Sequence, residues 1–143
     1  FNLGAIYNKG LGVTRDYQEA FEWYRKAAEQ GLAKGQLVVG LNFYEGKGVD
    51  QDYHAALKWL RQAAELGDPI SQGKIGEMFK DGHGVIRDFV EAYKWFNISA
   101  ANSSDSNLVG LVGIKIDMLE QIMTQEQISE AQKLSREWMK ARQ

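Results

Sequence analysis

Three tryptophans stand at one interval, and that interval constrains the fold more than any other feature. Trp23, Trp59 and Trp95 are spaced 36 residues apart. The same shift superposes Gly4, Gly40 and Gly76; Tyr7, Phe43 and Phe79; Gly10, Gly46 and Gly82; Gly12, Gly48 and Gly84; and Asp16, Asp52 and Asp88. Ala20, Ala56 and Ala92 follow in the second half of each unit. Matches at one fixed period mark a chain built from supersecondary units, each unable to bury its apolar face alone and each completed by its neighbours.

Each unit reads as two helices. Gln36 to Glu45 carries Leu37, Val39, Gly40 and Phe43 and stops at Gly46-Lys47-Gly48, where two glycines supply the left-handed positions of a helix end and a tight turn. The second half opens at Asp16, Asp52 or Asp88, each able to cap free amides. Glu19 and Glu91 stand where a capping box would place them. Apolar residues then recur at helical spacing, as in Tyr53, Ala56, Leu60 and Ala64, until Gly31 or Gly67 ends the helix. A glycine inside the first helix costs on the order of 1 kcal/mol against alanine. Its recurrence at 4, 40 and 76 therefore predicts a crossing too close for a side chain.

Composition narrows the function classes. The 143 residues carry 17 Lys and Arg against 19 Asp and Glu, a formal charge of -2, so no basic footprint for nucleic acid or an anionic membrane is present. No apolar run approaches the roughly 20 residues of a spanning helix, which argues against direct membrane insertion. With no cysteine, a thiolate metal site and a cysteine nucleophile are both excluded.

The pattern Leu3-Gly4, Tyr7, Gly10, Gly12-Val13, Asp16-Tyr17, Ala20, Trp23-Tyr24, Ala27-Ala28 and Gly31 resembles the Sel1-like repeat family, relatives of the tetratricopeptide repeat. The period separates the two, because tetratricopeptide units run 34 residues and keep a proline late in the second helix, whereas this chain holds only Pro69. The resemblance implies an all-α fold, a right-handed α/α superhelical solenoid. One repeat domain over 1–143 is expected: repeat one at 1–32, repeat two at 33–68, repeat three at 69–104, and a degenerate fourth unit with a C-terminal capping helix at 105–143. Phe1 aligns with Leu37, so a first repeat shortened at its N-terminal side is expected, with apolar surface there prone to self-association.

The fourth unit departs from the pattern: Ala131 stands where a tryptophan would, and the Gly-x-Gly-Val turn is absent. Val109, Val112, Ile116, Leu119 and Met123 keep steps of three and four and predict a helix in spite of their β-branched character. Thr124 and Gln127 form a capping box ahead of a last helix with Ile128, Ala131, Leu134 and Trp138 on one face and Glu130, Lys133, Glu137 and Lys140 on the other.

Candidates for chemistry are few. Ser71 and Lys74 match Ser-x-x-Lys, the nucleophile spacing of penicillin-recognising enzymes, but the companion motifs are missing and Ser71 aligns with Gly35 at a helix contact. His54 and His83 lack partners at metal-ligand spacing, and no cofactor or metal is implied. Asn97-Ile98-Ser99 and Asn102-Ser103-Ser104 are glycosylation-type triplets that decide little, since a bacterial origin would make both accidental. The repeated tryptophans and Tyr7, Phe43 and Phe79 read as packing rather than ligand platforms, since an array keeps its packing residues and varies its surface.

In tetratricopeptide-like arrays the first helix of each pair lines the concave side. Carried over by spacing, the candidate partner-binding positions are Phe1, Ala5 and Asn8, then Leu37, Leu41 and Tyr44, then Gly73, Glu77 and Lys80. The reading that follows is a scaffold or adaptor binding a protein or peptide on that face, without catalysis. The alternatives are a cell-wall or β-lactam hydrolase using Ser71 and Lys74, and a purely structural segment of a longer array. The resemblance implies a bacterial protein of the envelope, periplasm or secreted space.

Overall fold

The protein is described here from a computed structural model covering residues 14–142. Among these residues are seven helices and no strand: α1 Thr14–Glu29, α2 Ala33–Glu45, α3 Tyr53–Glu65, α4 Pro69–Asp81, α5 Phe89–Asn102, α6 Ser106–Ile122 and α7 Gln125–Lys140. The all-α class expected from the periodicity is the one observed. The described residues divide between Asp68 and Pro69 into two compact units, so α1 to α3 belong to the first and α4 to α7 to the second.

In the first unit α2 and α3 form a hairpin and α2 also rests on α1. The turn is closed by backbone alone. Gly46 adopts φ +75°, and its amide and that of Lys47 both donate to the Asn42 carbonyl, at 2.7 and 3.0 Å. Gly48, at φ +73°, passes so close to the Tyr17 carbonyl that a Cβ would collide with it. The Asp52 amide then donates back to the Phe43 carbonyl at 2.8 Å, while its carboxylate accepts from the Ala55 amide at 3.1 Å and caps α3. The core gathers Ala20, Phe21, Tyr24, Ala28 and Val39, flanked by Val38, Phe43, Val49 and Trp59, with the Phe21 and Phe43 rings edge-on at 5.4 Å.

The α4–α5 hairpin of the second unit repeats these devices. Gly82 and Gly84 have φ of +75° and +78°, the Asp88 amide donates to the Phe79 carbonyl at 2.9 Å, and the Asp88 carboxylate accepts from the Glu91 amide at 3.1 Å. The reciprocal half of a capping box is not made, because Phe79 already holds the Asp88 amide and Glu91 is drawn to Lys94 at 3.1 Å. Asp16 also departs from the expected cap, lying inside the first turn of α1. The predicted close crossings are present in both hairpins: a Cβ at Gly40 would lie 2.7 Å from Leu60 Cγ, and one at Gly76 would lie 2.7 Å from the Phe96 ring. Each hairpin also contains a polar link across it. Gln36 donates to Gln62 at 3.4 Å, and Asn102 donates to Gln72 at 3.1 Å.

After α5 the repeat slips by one residue. α5 has 14 residues where α3 has 13, and three residues follow each before the next helix begins. The counterparts of Val39 and Ile75, of Gly40 and Gly76, and of Phe43 and Phe79 are therefore Val112, Gly113 and Ile116, one place beyond the 36-residue register. The helix predicted for Val109 to Met123 is present, with Val112, Leu119 and Met123 buried. Thr124 returns to the register 36 residues after Asp88, and its capping box with Gln127 is complete, at 3.1 and 2.9 Å.

α6 and α7 do not pair as the earlier helices do; both lie against α5 and barely touch each other. Ile128, Ala131 and Ser135 of α7 are buried on α5, where the Ser135 hydroxyl approaches the Lys94 carbonyl at 3.3 Å and Trp138 meets Trp95 edge-on at 5.6 Å. The outer face of α7 is polar, as expected. That of α6 is not: Leu111, Ile114, Met118 and Ile122 are all more than half exposed.

Candidate partner-binding surface

The recognition positions expected on the first helices divide by environment. Phe1, Ala5 and Asn8 lie outside the described residues. On α2, Leu37 is buried, whereas Leu41 and Tyr44 are half-buried and reachable. The Tyr44 ring lies 5.0 Å from that of Tyr53, and the Gln51 side-chain amide donates to the Tyr44 main-chain carbonyl at 2.9 Å. A helix supplies both side chains from one face, three residues apart.

On α4, Gly73 is buried against Ser99, while Glu77 and Lys80 are half-buried. Glu77 receives the Lys115 ammonium of α6 at 2.6 Å and that of Lys74 at 3.4 Å. Burial alone would raise its pKa. The hydrogen bond and charge of Lys115, joined by those of Lys74, outweigh that and hold the carboxyl below its ordinary value. Lys80 pairs with Asp81 at 3.5 Å. The second unit thus presents charges that already have intramolecular partners, and an incoming ligand would have to exchange with them.

A depressed folded-state pKa contributes stability above the unfolded value, near 4.5, and that contribution is lost as pH falls through the folded value. Urea midpoints of the wild type should therefore drop more between pH 6 and pH 3 than those of Glu77→Gln. Parallel pH profiles would show that the Glu77 cluster adds nothing.

Other polar candidates are placed differently. Ser71 is fully buried within α4, out of reach of a substrate, and the Lys74 ammonium is engaged by Glu77. His54 is exposed on the first turn of α3, and His83 sits half-buried in the turn between Gly82 and Gly84. Among the described residues, no three His, Cys, Asp or Glu side chains converge as a metal site would require. Asn97 is half-buried in α5 with its amide 3.5 Å from the Ser135 hydroxyl, a poor glycan acceptor.

The repeated tryptophans are not equivalent. Trp95 is 2% exposed, Trp59 half-buried, and Trp23 39% exposed with the Lys26 ammonium 5.0 Å from its ring centre. The amide links Gln36–Gln62 and Asn102–Gln72 were not anticipated, although Gln36 and Gln72 do obey the 36-residue interval.

Paired helices, glycine-closed turns and glycine crossings repeated along the sequence define a helical-repeat protein with two helices per unit. The chain belongs to the Sel1 repeat family, whose model matches residues 1–32, 33–68 and 69–104. Among solved structures it is similar to a protective antigen of uropathogenic Escherichia coli displaying an SLR fold, with 36% identity and a TM-score of 0.87 over 97% of this chain and 29% of that one. It is also similar to a Sel1 repeat protein from Oxalobacter formigenes, with 38% identity and a TM-score of 0.69 over 79% of this chain and 46% of that one. The chain therefore spans less than half the length of either neighbour. A comparison with curated proteins finds no match. Among the described residues, no helix is long and apolar enough to cross a membrane.

Proposed function

We propose that this chain is a non-catalytic interaction scaffold that binds an extended peptide or a helix of a partner protein through the first helices of its repeats. Membership of the Sel1 repeat family supports an interaction role in general. The observation that carries the finer reading is that Leu41 and Tyr44 lie half-buried on one face of α2, with the Tyr44 ring packed 5.0 Å from that of Tyr53. A ring already packed against a neighbour has less freedom to lose on association. In the second unit, taken by itself, Glu77 and Lys80 of α4 are the candidate positions.

Peptides selected from a random display library against the purified chain should perturb backbone NMR signals of α2. Leu41→Glu and Tyr44→Ala should each weaken their binding at least tenfold. Perturbation confined to α3 or α5 would overturn the assignment. Catalysis through Ser71 is disfavoured by its complete burial, so a fluorescent penicillin should not label the chain covalently. Stoichiometric labelling that is lost in Ser71→Ala would replace the scaffold with a hydrolase.

A further inference from the structure

In the second unit one carboxylate serves two ammonium groups. Glu77 of α4 holds Lys115 of α6 on one oxygen at 2.6 Å and Lys74, one turn back on α4, on the other at 3.4 Å. α6 runs beside α4 here, since a Cβ at Gly73 would lie 3.8 Å from a methyl carbon of Val112. The Lys74, Glu77 and Lys115 side chains are 21%, 28% and 22% exposed, so solvent and salt screen them less than they would a surface pair. One turn further along α4, Lys80 brings a third ammonium group, paired with Asp81 at 3.5 Å. Three cations thus stand with two carboxylates. The acids of α6 do not redress the count, because Asp117 and Glu120 lie roughly 160° and 140° round the helix from Lys115. Glu120 is turned to α5 instead, where it accepts from the Tyr93 hydroxyl at 2.6 Å.

We propose that this lysine cluster recognises an acidic side chain, aspartate or glutamate, on the partner segment, and that Glu77 is an internal stand-in for that carboxylate. The inference rests on the scaffold reading and adds the partner's charge to it. Glu77 keeps Lys74 and Lys115 converged on one point from two helices; an incoming carboxylate competes with it for the same two ammonium groups. A basic partner residue would instead bring like charge to a surface already in excess of cations, which opposes docking.

Hexaglutamate, acetylated and amidated at its ends, should perturb the NMR signals of α4 and of α6 around Lys115 saturably, and less so at high salt. Hexalysine should not. Lys115→Met should weaken hexaglutamate binding about tenfold, and Lys74→Met should weaken it too. Glu77→Gln should tighten it severalfold by removing the competitor, whereas a purely structural ion pair would lose its order and bind less. Lys133→Met and Glu130→Gln, on the outer face of α7, make the same changes in net charge and should leave binding unaltered. Perturbation by hexalysine in place of hexaglutamate, indifference to Lys115→Met, or weaker binding in Glu77→Gln would each overturn the proposal. If hexaglutamate leaves α4 and α6 untouched while library-selected peptides still perturb α2, this inference falls and the scaffold reading stands; if neither perturbs a first helix, both fall.

Discussion

Trp95→Ala should destabilise the protein by about 3–5 kcal/mol, the range for deleting a large buried aromatic side chain. Trp95 is 2% exposed, edge-on to Trp138 at 5.6 Å, with the Lys94 ammonium 4.9 Å from its ring centre. Its removal would hollow out the seat of α7 on α5 and release the last helix with it. Trp95→Phe should cost far less. The indole Nε1 is buried without a hydrogen-bond partner, so phenylalanine relieves an unsatisfied donor while keeping most of the ring contact. Trp23→Ala, at the equivalent place in the first repeat, should cost less, about 2 kcal/mol, because the residue is 39% exposed and leaves a smaller buried area to lose. Urea denaturation of the three variants measures these differences. Equal losses at Trp23 and Trp95 would contradict the asymmetry in burial.

The second large effect is at Gly76. Valine there should cost about 2–3 kcal/mol, the usual scale of overpacking. A Cβ would lie 2.7 Å from two carbons of the fully buried Phe96 ring and 3.2 Å from the Ala92 carbonyl. The improved helix propensity returns only about 0.5 kcal/mol. At Gly113 the sign should reverse, since alanine there meets nothing and gains up to about 1 kcal/mol of propensity. Two glycines at matching repeat positions thus distinguish a filled crossing from an empty one, and thermal melts of both variants read the difference. An unchanged or raised melting temperature for Gly76→Val would mean that Phe96 can move aside.

The helix pairs, the turn glycines and the close crossings were legible because the same physical demand recurs in successive units and leaves the same residue type each time. Capping was legible only in part. Asp88 and Glu91 carry the letters of a capping box, but the Asp88 amide is bound by a carbonyl nine residues earlier, a tertiary contact that local spacing does not encode. The exposed stripe of α6 was hidden by the register. Extending the 36-residue interval sets Val112 at the crossing position, whereas the extra residue in α5 moves Gly113 there and turns Leu111 and Ile114 outward. Of the candidate recognition residues, Leu37 illustrates the limit of the pattern: it shares a helix with Leu41 and Tyr44 yet is buried. The intramolecular claim of Lys115 on Glu77 could not be read from α4 alone, since the lysine comes from a helix outside the repeat pattern.

The hairpin turns have a practical corollary for engineering. In the second unit the two sides are stitched by main-chain bonds, from Gly82 and His83 to the Met78 carbonyl and from Asp88 to that of Phe79, at 2.8, 3.0 and 2.9 Å. None of these bonds uses a side chain from the intervening segment, whose Ile86 projects into solvent. A loop fastened at its base in this way is a natural cassette. Foreign epitopes or affinity tags grafted between Gly84 and Asp88 would be displayed on a closed frame, leaving α4, α5 and their glycine crossing as they are. Loop-closure entropy grows only slowly with length, so inserts of moderate size should be carried at little cost to folding.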